Sequence, residues 1–65
     1  MKGKSCWLEV VWWINPALCA TQSFEKFEKA VEFAKEKRKQ GFKRVEMNAC
    51  YSNGYTLKIE ERFYA

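Results

Sequence analysis

A strictly alternating stretch near the start of the chain gives the clearest structural signal. From Cys6 to Ile14, core-type apolar side chains occupy every second position, and a more mixed set lies between them. Alternation with a period of two is typical of a β-strand that packs one face on a core. Pro16 interrupts the pattern, so residues 17–22 are interpreted as a connecting segment.

Beyond Ser23 the period changes to three and four residues, which indicates an amphipathic helix of about 17 residues. Ser23 is the natural N-cap, because its hydroxyl can accept a hydrogen bond from a free amide of the first turn. Basic residues Lys37, Arg38 and Lys39 favour the negative end of the helix, and Gly41 can adopt the left-handed conformation that ends it. The apolar stripe comprises Phe24, Phe27, Ala30, Val31 and Ala34.

Two further strands, residues 42–51 and 55–64, are predicted to form a hairpin. A two-residue turn would place the apolar set of one strand opposite the polar set of the other. A three-residue loop that ends at Gly54 corrects this parity and pairs Ala49 with Leu57. Gly54 is then expected in the left-handed position of a bulge.

Together these elements predict an α+β fold of β-α-β-β order, with one helix packed on a three-stranded, mainly antiparallel sheet. A single domain over residues 1–65 is expected from the length. The first strand is expected to pair with the last, although a parallel pairing with the second is also compatible with the pattern. The predicted core consists of Leu8, Val10, Trp12, Ile14, Phe24, Phe27, Val31, Ala34, Val45, Met47, Leu57 and Ile59.

One helix can cover only one face of such a sheet, so the other face is the first candidate for binding. Its predicted binding residues are Trp7, Val11, Trp13, Arg44, Lys58 and Arg62. The two tryptophans could lie over the stems of the basic residues, or they could contact a second copy of the chain. They could also anchor a partner protein, and a weaker signal suggests that they stack on nucleotide bases.

A second candidate spot lies on the helix, where Phe33 falls outside the predicted core stripe. Lys29 and Lys37 flank it at helical spacings, as does Lys26. One interpretation is a solvated lysine face with a single aromatic residue. The alternative is a small contact site for an acidic partner.

Composition excludes most catalytic chemistry, because the chain contains neither His nor Asp. The usual triads and histidine acid-base pairs cannot be built without them, so we expect no enzymatic activity and no cofactor. The net charge of +4 is modest and fits weak attraction to nucleic acid or to an acidic protein.

The three cysteines, Cys6, Cys19 and Cys50, are odd in number and lack CxxC spacing. With no apolar signal segment after Met1, this favours a reduced, cytoplasmic setting. Strand parity places Cys6 on the core face and Cys50 on the uncovered face, with Cys19 in the connection, so no shared metal site is expected. No apolar run is long enough to cross a membrane.

The chain resembles short proteins encoded by bacteriophages and other mobile elements, in which a Trp-containing strand leads into a helix and a hairpin. The resemblance rests on Ser23-Phe24-Glu25, on Ala30-Val31-Glu32-Phe33-Ala34-Lys35, on Gly41-Phe42-Lys43-Arg44-Val45-Glu46 and on Asn53-Gly54. Members of that group with assigned roles are often inhibitors of bacterial defence, including anti-CRISPR proteins. They block a host complex or sequester a signalling nucleotide, and the resemblance transfers no individual functional residue.

The leading functional hypothesis is therefore a non-enzymatic, phage-type binding protein in the cytoplasm of a bacterial host. It is expected to form a homodimer and to inhibit a defence or regulatory complex by occupying a protein surface or sequestering a ligand. A small module that binds nucleic acid or a nucleotide through Trp and basic residues is the first alternative. A homo-oligomeric structural subunit is the second.

Overall fold

The computed structural model describes residues 6–64, which form one helix on a four-stranded antiparallel sheet. The elements are β1 (Cys6–Asn15), β2 (Leu18–Phe24), α1 (Phe27–Lys39), β3 (Val45–Tyr51), β4 (Thr56–Lys58) and a short 3-10 turn (Glu61–Phe63). The strand order is β2-β1-β3-β4. The predicted α+β class with a helix on an antiparallel sheet is confirmed, and the sheet has one strand more than predicted.

The additional strand is β2, which forms a hairpin with β1. Pro16 and Ala17 form the turn between the two strands, and the Asn15 Oδ1 atom accepts a hydrogen bond of 2.8 Å from the Ala17 amide. β2 then runs antiparallel to β1, so that Phe24 lies opposite Leu8. The interpretation of residues 17–22 as a connection was wrong, because an Asx turn at Asn-Pro reverses the chain directly into a strand.

This hairpin also explains why both predicted strand orders were wrong. The first strand pairs with neither the last strand nor a parallel neighbour; β1 lies at the centre, antiparallel to β3, with Val10 opposite Met47. Because β2 reverses the chain before α1 begins, the crossover through α1 returns β3 parallel to β2. It is therefore antiparallel to β1.

The second hairpin has the predicted register and turn. Ala49 lies opposite Leu57, and the Tyr51 amide donates a hydrogen bond of 2.9 Å to the carbonyl of Tyr55. Gly54 has a φ of 93°, a left-handed conformation that costs little only for glycine. The three-residue loop is confirmed.

The last strand is much shorter than predicted, since β4 ends at Lys58. The 3-10 turn that follows folds the chain back over the sheet and brings Tyr64 into the core. The prediction that residues 55–64 form one strand was therefore wrong. An extended strand of that length would have left the Tyr64 ring outside the core.

The helix begins later than predicted. Ser23 lies within β2, and Lys26 occupies the N-cap position without a side-chain cap. The predicted helix end is confirmed: Gly41 has a φ of 104°, and its amide donates to the carbonyl of Arg38 at 3.0 Å. The Phe42 amide donates to the carbonyl of Lys37, which completes the hydrogen-bond pattern of a glycine-terminated helix.

The core lies between α1 and the helix-facing side of the sheet. Its buried members are Val10, Ala30, Ala34, Val45, Met47 and Tyr64. Three predicted core residues lie near the rim instead: Ile14, Phe27 and Leu57 are 52%, 44% and 46% exposed. Among residues 6–64, no helix has the length and apolar character needed to cross a membrane.

Phe33 is part of this packing, contrary to the prediction that it lies off the core stripe. Its ring contacts Trp12 and Phe24, with centroid distances of 5.2 and 5.0 Å. Phe24 belongs to β2 and not to the helix, so the apolar stripe of α1 occupies different positions from those predicted. The residues of α1 that pack inward are Ala30, Val31, Phe33 and Ala34.

Candidate functional site

The face of the sheet opposite α1, called the open face below, is the candidate site. Val10 and Met47 are fully buried beneath the helix, so their neighbours in each strand point to the other side. The predicted parity of β1 is therefore correct. The open face carries Trp7, Glu9, Val11 and Trp13 of β1, Cys19, Thr21 and Ser23 of β2, Glu46, Asn48 and Cys50 of β3, and Thr56 and Lys58 of β4.

One end of the open face is built around Trp13. The guanidinium carbon of Arg44 lies 4.3 Å from the centre of the Trp13 ring, a cation–π geometry. Glu46 holds this guanidinium in place, with 3.2 Å between the Arg44 Nε and Glu46 Oε2 atoms. The indole Nε1 of Trp13 is buried and has no hydrogen-bond acceptor among residues 6–64. Trp13 is thus half-buried beneath Arg44, and the Arg44 side chain is itself exposed.

Trp7 forms the opposite end of the open face. It lies across from Cys50 in β3 and borders a shallow hollow formed with Ser23, Phe24 and Glu25. Trp13 follows Trp7 by six positions along β1, which corresponds to about 20 Å in an extended strand. The two rings are therefore separate apolar points on one surface and do not form a single aromatic patch.

The area between the tryptophans is polar and electrically balanced. Glu9 lies opposite Asn48, which in turn lies opposite Lys58. Val11 lies opposite Glu46. With Arg44 at the edge, two acidic and two basic side chains share the face. This surface has no excess of positive charge, which a phosphate backbone requires.

Cys50 lies on the open face, as strand parity predicted, and is nearly buried there. Burial raises the pKa of the Cys50 thiol, and the nearby Glu9 carboxylate raises it further. A thiol that keeps its proton is a poor nucleophile. Cys6 and Cys19 are exposed, and Cys19 lies in β2 and not in the predicted loop.

Arg62 does not belong to the open face. It lies in the 3-10 turn beyond β4, where its Nε atom is 2.7 Å from Glu60 Oε1. Its guanidinium carbon lies 4.8 Å from the centre of the Phe63 ring. The prediction placed Arg62 on the sheet because it extended the last strand too far.

The second predicted spot, on the helix, has a different structure from the one expected. The Lys37 Nζ atom lies 4.4 Å from the centre of the Trp12 ring and 5.1 Å from that of Phe33. Lys37 therefore covers the edge of the aromatic packing, whereas Lys29 is exposed. Phe33 is half-buried in the same packing, so these three residues do not form an exposed aromatic spot.

A hollow of about 490 Å³ lies between the end of α1 and strands β3 and β4, with Tyr64 among its lining residues. Four basic and three acidic side chains surround it, namely Arg38, Lys43, Arg44 and Lys58, with Glu46, Glu60 and Glu61. Arg38 pairs with Glu61, and Arg44 pairs with Glu46. Because these pairs cancel most of the charge, the hollow lacks the strong positive field that a nucleotide phosphate favours.

An apolar hollow near β4 was not predicted from the sequence. Phe27, Leu57 and Phe63 line it and are each between two-fifths and one-half exposed. The periodicity of the sequence assigned Phe27 and Leu57 to the core, so no signal distinguished them from buried residues. Phe27 and Leu57 are exposed in the structure, where Phe27 is the first residue of α1 and Leu57 lies in the short β4.

In comparisons with known proteins, no family model, no curated protein and no solved structure matches this chain.

Proposed function

We propose that this chain is a non-enzymatic binding protein whose open face occupies the surface of another protein. The observation that carries the proposal is a sheet face left uncovered by α1, with Trp7 and Trp13 at its two ends. Partly exposed tryptophans on a rigid sheet are efficient anchors, because they add large apolar area with few side-chain rotamers to restrict. The absence of His and Asp from the sequence supports a role without catalysis.

The charge pattern of the open face favours a protein as the bound partner. Polar side chains of both signs lie between two apolar anchors, which resembles the composition of protein interfaces more than that of nucleic-acid surfaces. Arg44 combines a cation with an aromatic contact, and arginine and tryptophan are among the residues enriched at the energetic centres of interfaces.

The finer part of the proposal is an inhibitor of a bacterial defence or regulatory complex, acting in the host cytoplasm. Its support is the resemblance of the sequence to short phage and mobile-element proteins. Inhibition by occupying a surface needs only a stable fold and a complementary face. A domain of this size can supply both.

Capture from bacterial lysates tests the proposal, with the tagged wild type compared with Trp7→Ala and Trp13→Ala variants. The matched control is Tyr55→Ala, which removes an exposed aromatic ring directly after the loop of the second hairpin. We expect the wild type and the control to recover the same protein and both tryptophan variants to lose it. Recovery that is indifferent to Trp7 and Trp13 in folded variants would contradict the proposal, as would repeated recovery of the chain alone.

Binding of single-stranded nucleic acid or a nucleotide is the second candidate, supported by the contact between the Arg44 guanidinium and the Trp13 ring. Such binding weakens steeply as salt increases, because basic side chains release counterions from phosphates. Titration of oligonucleotides at several salt concentrations therefore separates the two candidates. Salt-sensitive binding that fails in Trp13→Ala would favour the second candidate.

A further inference from the structure

β2 forms one of the two free edges of the sheet, and it differs from the other edge. It is seven residues long, contains neither a charged residue nor proline, and has no strand partner on its outer side among residues 6–64. The opposite edge, β4, has only three residues, one of them Lys58. Proteins usually protect a free edge with charge, proline or short length, and only β4 has such protection.

The backbone groups that β2 offers on its outer side follow from a single hydrogen bond. The Trp13 amide donates to the carbonyl of Arg44, so the backbone groups of Trp13 point away from β2. By alternation, those of Trp12 point toward β2 and bond with its partner Ala20. The same alternation makes Gln22 and Phe24 bond with β1 as Ala20 does. The amides and carbonyls of the intervening residues, Cys19, Thr21 and Ser23, therefore point outward, away from β1.

We propose that β2 pairs antiparallel with β2 of a second copy of this chain, across a two-fold axis at Thr21. In this register Thr21 bonds with Thr21 of the second copy, and Cys19 bonds with Ser23 of the second copy. Leu18, which is 52% exposed, lies opposite Phe24 of the second copy on the helix side of the sheet. All residues of β2 are then paired, and an exposed apolar side chain gains an aromatic neighbour.

A second copy is the partner that this edge fits best. The three outward residues are arranged symmetrically about Thr21, so each donor of one copy meets an acceptor of the other under two-fold rotation. No charge on β2 selects a strand of opposite charge from another protein. Shifting the register by two residues in either direction removes the contact between Leu18 and Phe24.

This pairing would join two sheets into one, with the two β2 strands at its centre. Both open faces would lie on the same side, and the row that contains Trp13 of one copy would contain Glu9 of the other. The inference does not depend on the proposed function, because it concerns the edge of the sheet and not the open face.

Sedimentation over a range of concentrations tests the dimer with Thr21→Lys and Thr21→Glu variants. Like charges that meet at the two-fold axis should weaken dimer formation about tenfold or more. A mixture of the two variants should restore it, since Lys and Glu then face each other, and misfolded variants could not be rescued in this way. A wild type that stays monomeric at every concentration would overturn the inference, as would dimers that both variants leave unchanged.

Disulfide trapping tests the register. In a Cys6→Ser background, Ser23→Cys should form a bond with the native Cys19 of the second copy, because directly opposed residues lie within disulfide reach. The matched control, Glu25→Cys, has no cysteine opposite it in this register. Peptide mapping should show the 19–23 linkage well above any linkage through position 25, and equal yields would refute the register.

Discussion

The guanidinium of Arg44 covers the Trp13 ring at 4.3 Å, at one end of the sheet face that α1 does not cover. Arg44 directly precedes β3, and the pairing of β3 with β1 brings it beside Trp13 near the end of β1. The contact is compatible with two interpretations of the sequence. Arg44 partly buries the Trp13 ring, as expected if the tryptophan lies over a basic side chain, and it also adds a positive charge beside a candidate binding anchor. A partner that binds here would meet a tryptophan and an arginine that is itself paired with Glu46.

Replacing Arg44 by Ala should uncover the indole of Trp13 with little loss of stability. Partly exposed cation–π contacts contribute about 0.5–1 kcal/mol, so we expect a decrease in the free energy of unfolding of that size. In two-dimensional NMR spectra the Trp13 indole resonance should shift strongly, while that of Trp7 stays in place. Lys43→Ala is the control, and equal shifts in both variants would argue against the contact.

Phe33 should contribute strongly to stability although it lies off the predicted stripe. Phe33→Ala removes contacts with Trp12 and Phe24, and a loss of about 3 kcal/mol is expected at the lower end of the range for Phe-to-Ala changes in cores. Phe27→Ala, at a residue 44% exposed, should cost well under half as much. Chemical denaturation measures both, and a larger loss for Phe27 would contradict the observed helix orientation.

Some features of the fold could be predicted because they depend on neighbours in sequence. The faces of β1 follow from alternation, which places Trp7 and Trp13 on one face of the sheet and Val10 on the other. The second hairpin follows from parity around Gly54, and the helix end follows from a glycine after basic residues. In each case the pattern within a few neighbouring residues is compatible with only one local structure.

Other features depend on contacts that no local pattern contains. β2 has weak alternation, with Gln22 on the helix side, because an edge strand buries little. The signal that could have revealed it is the Asn15-Pro16 turn. Because the sequence pattern does not indicate β2, it assigns Phe24 to the helix, and the predicted apolar stripe is rotated away from Phe33.

The helix start should be easy to improve, because Lys26 at the N-cap has no side-chain hydrogen bond. Lys26→Asp supplies an acceptor for a free amide and places a negative charge at the positive helix terminus. We expect thermal and chemical unfolding to show a gain of about 1 kcal/mol. Lys35→Asp makes the same charge change within the helix and should give no gain. A loss on Lys26→Asp would place the helix start elsewhere.

Stability should decrease in alkaline solution through Cys50 and Tyr64. Burial raises the pKa of both groups, from ordinary values of 9.0 and 10.0. The unfolded chain therefore loses these protons at lower pH than the folded chain, so the stabilisation is complete below about pH 9 and is lost as pH rises through the folded pKa values.

Denaturation between pH 7 and pH 11 measures this effect. Cys50→Ala and Tyr64→Phe should each flatten the alkaline decrease, because each removes one group whose pKa is raised by burial. A wild type whose stability rises with pH over this interval would show that the sign is wrong.

The most direct test of the open face as a binding surface is hydroxyl-radical footprinting of the chain alone and in complex with the captured protein. We expect oxidation of Trp7 and Trp13 to slow on binding, while Tyr55 and Phe63, which lie outside the open face, keep their rates. Protection confined to α1 or to the hollow beside Phe27, with both tryptophans still oxidised as in the free chain, would contradict a binding role for this face.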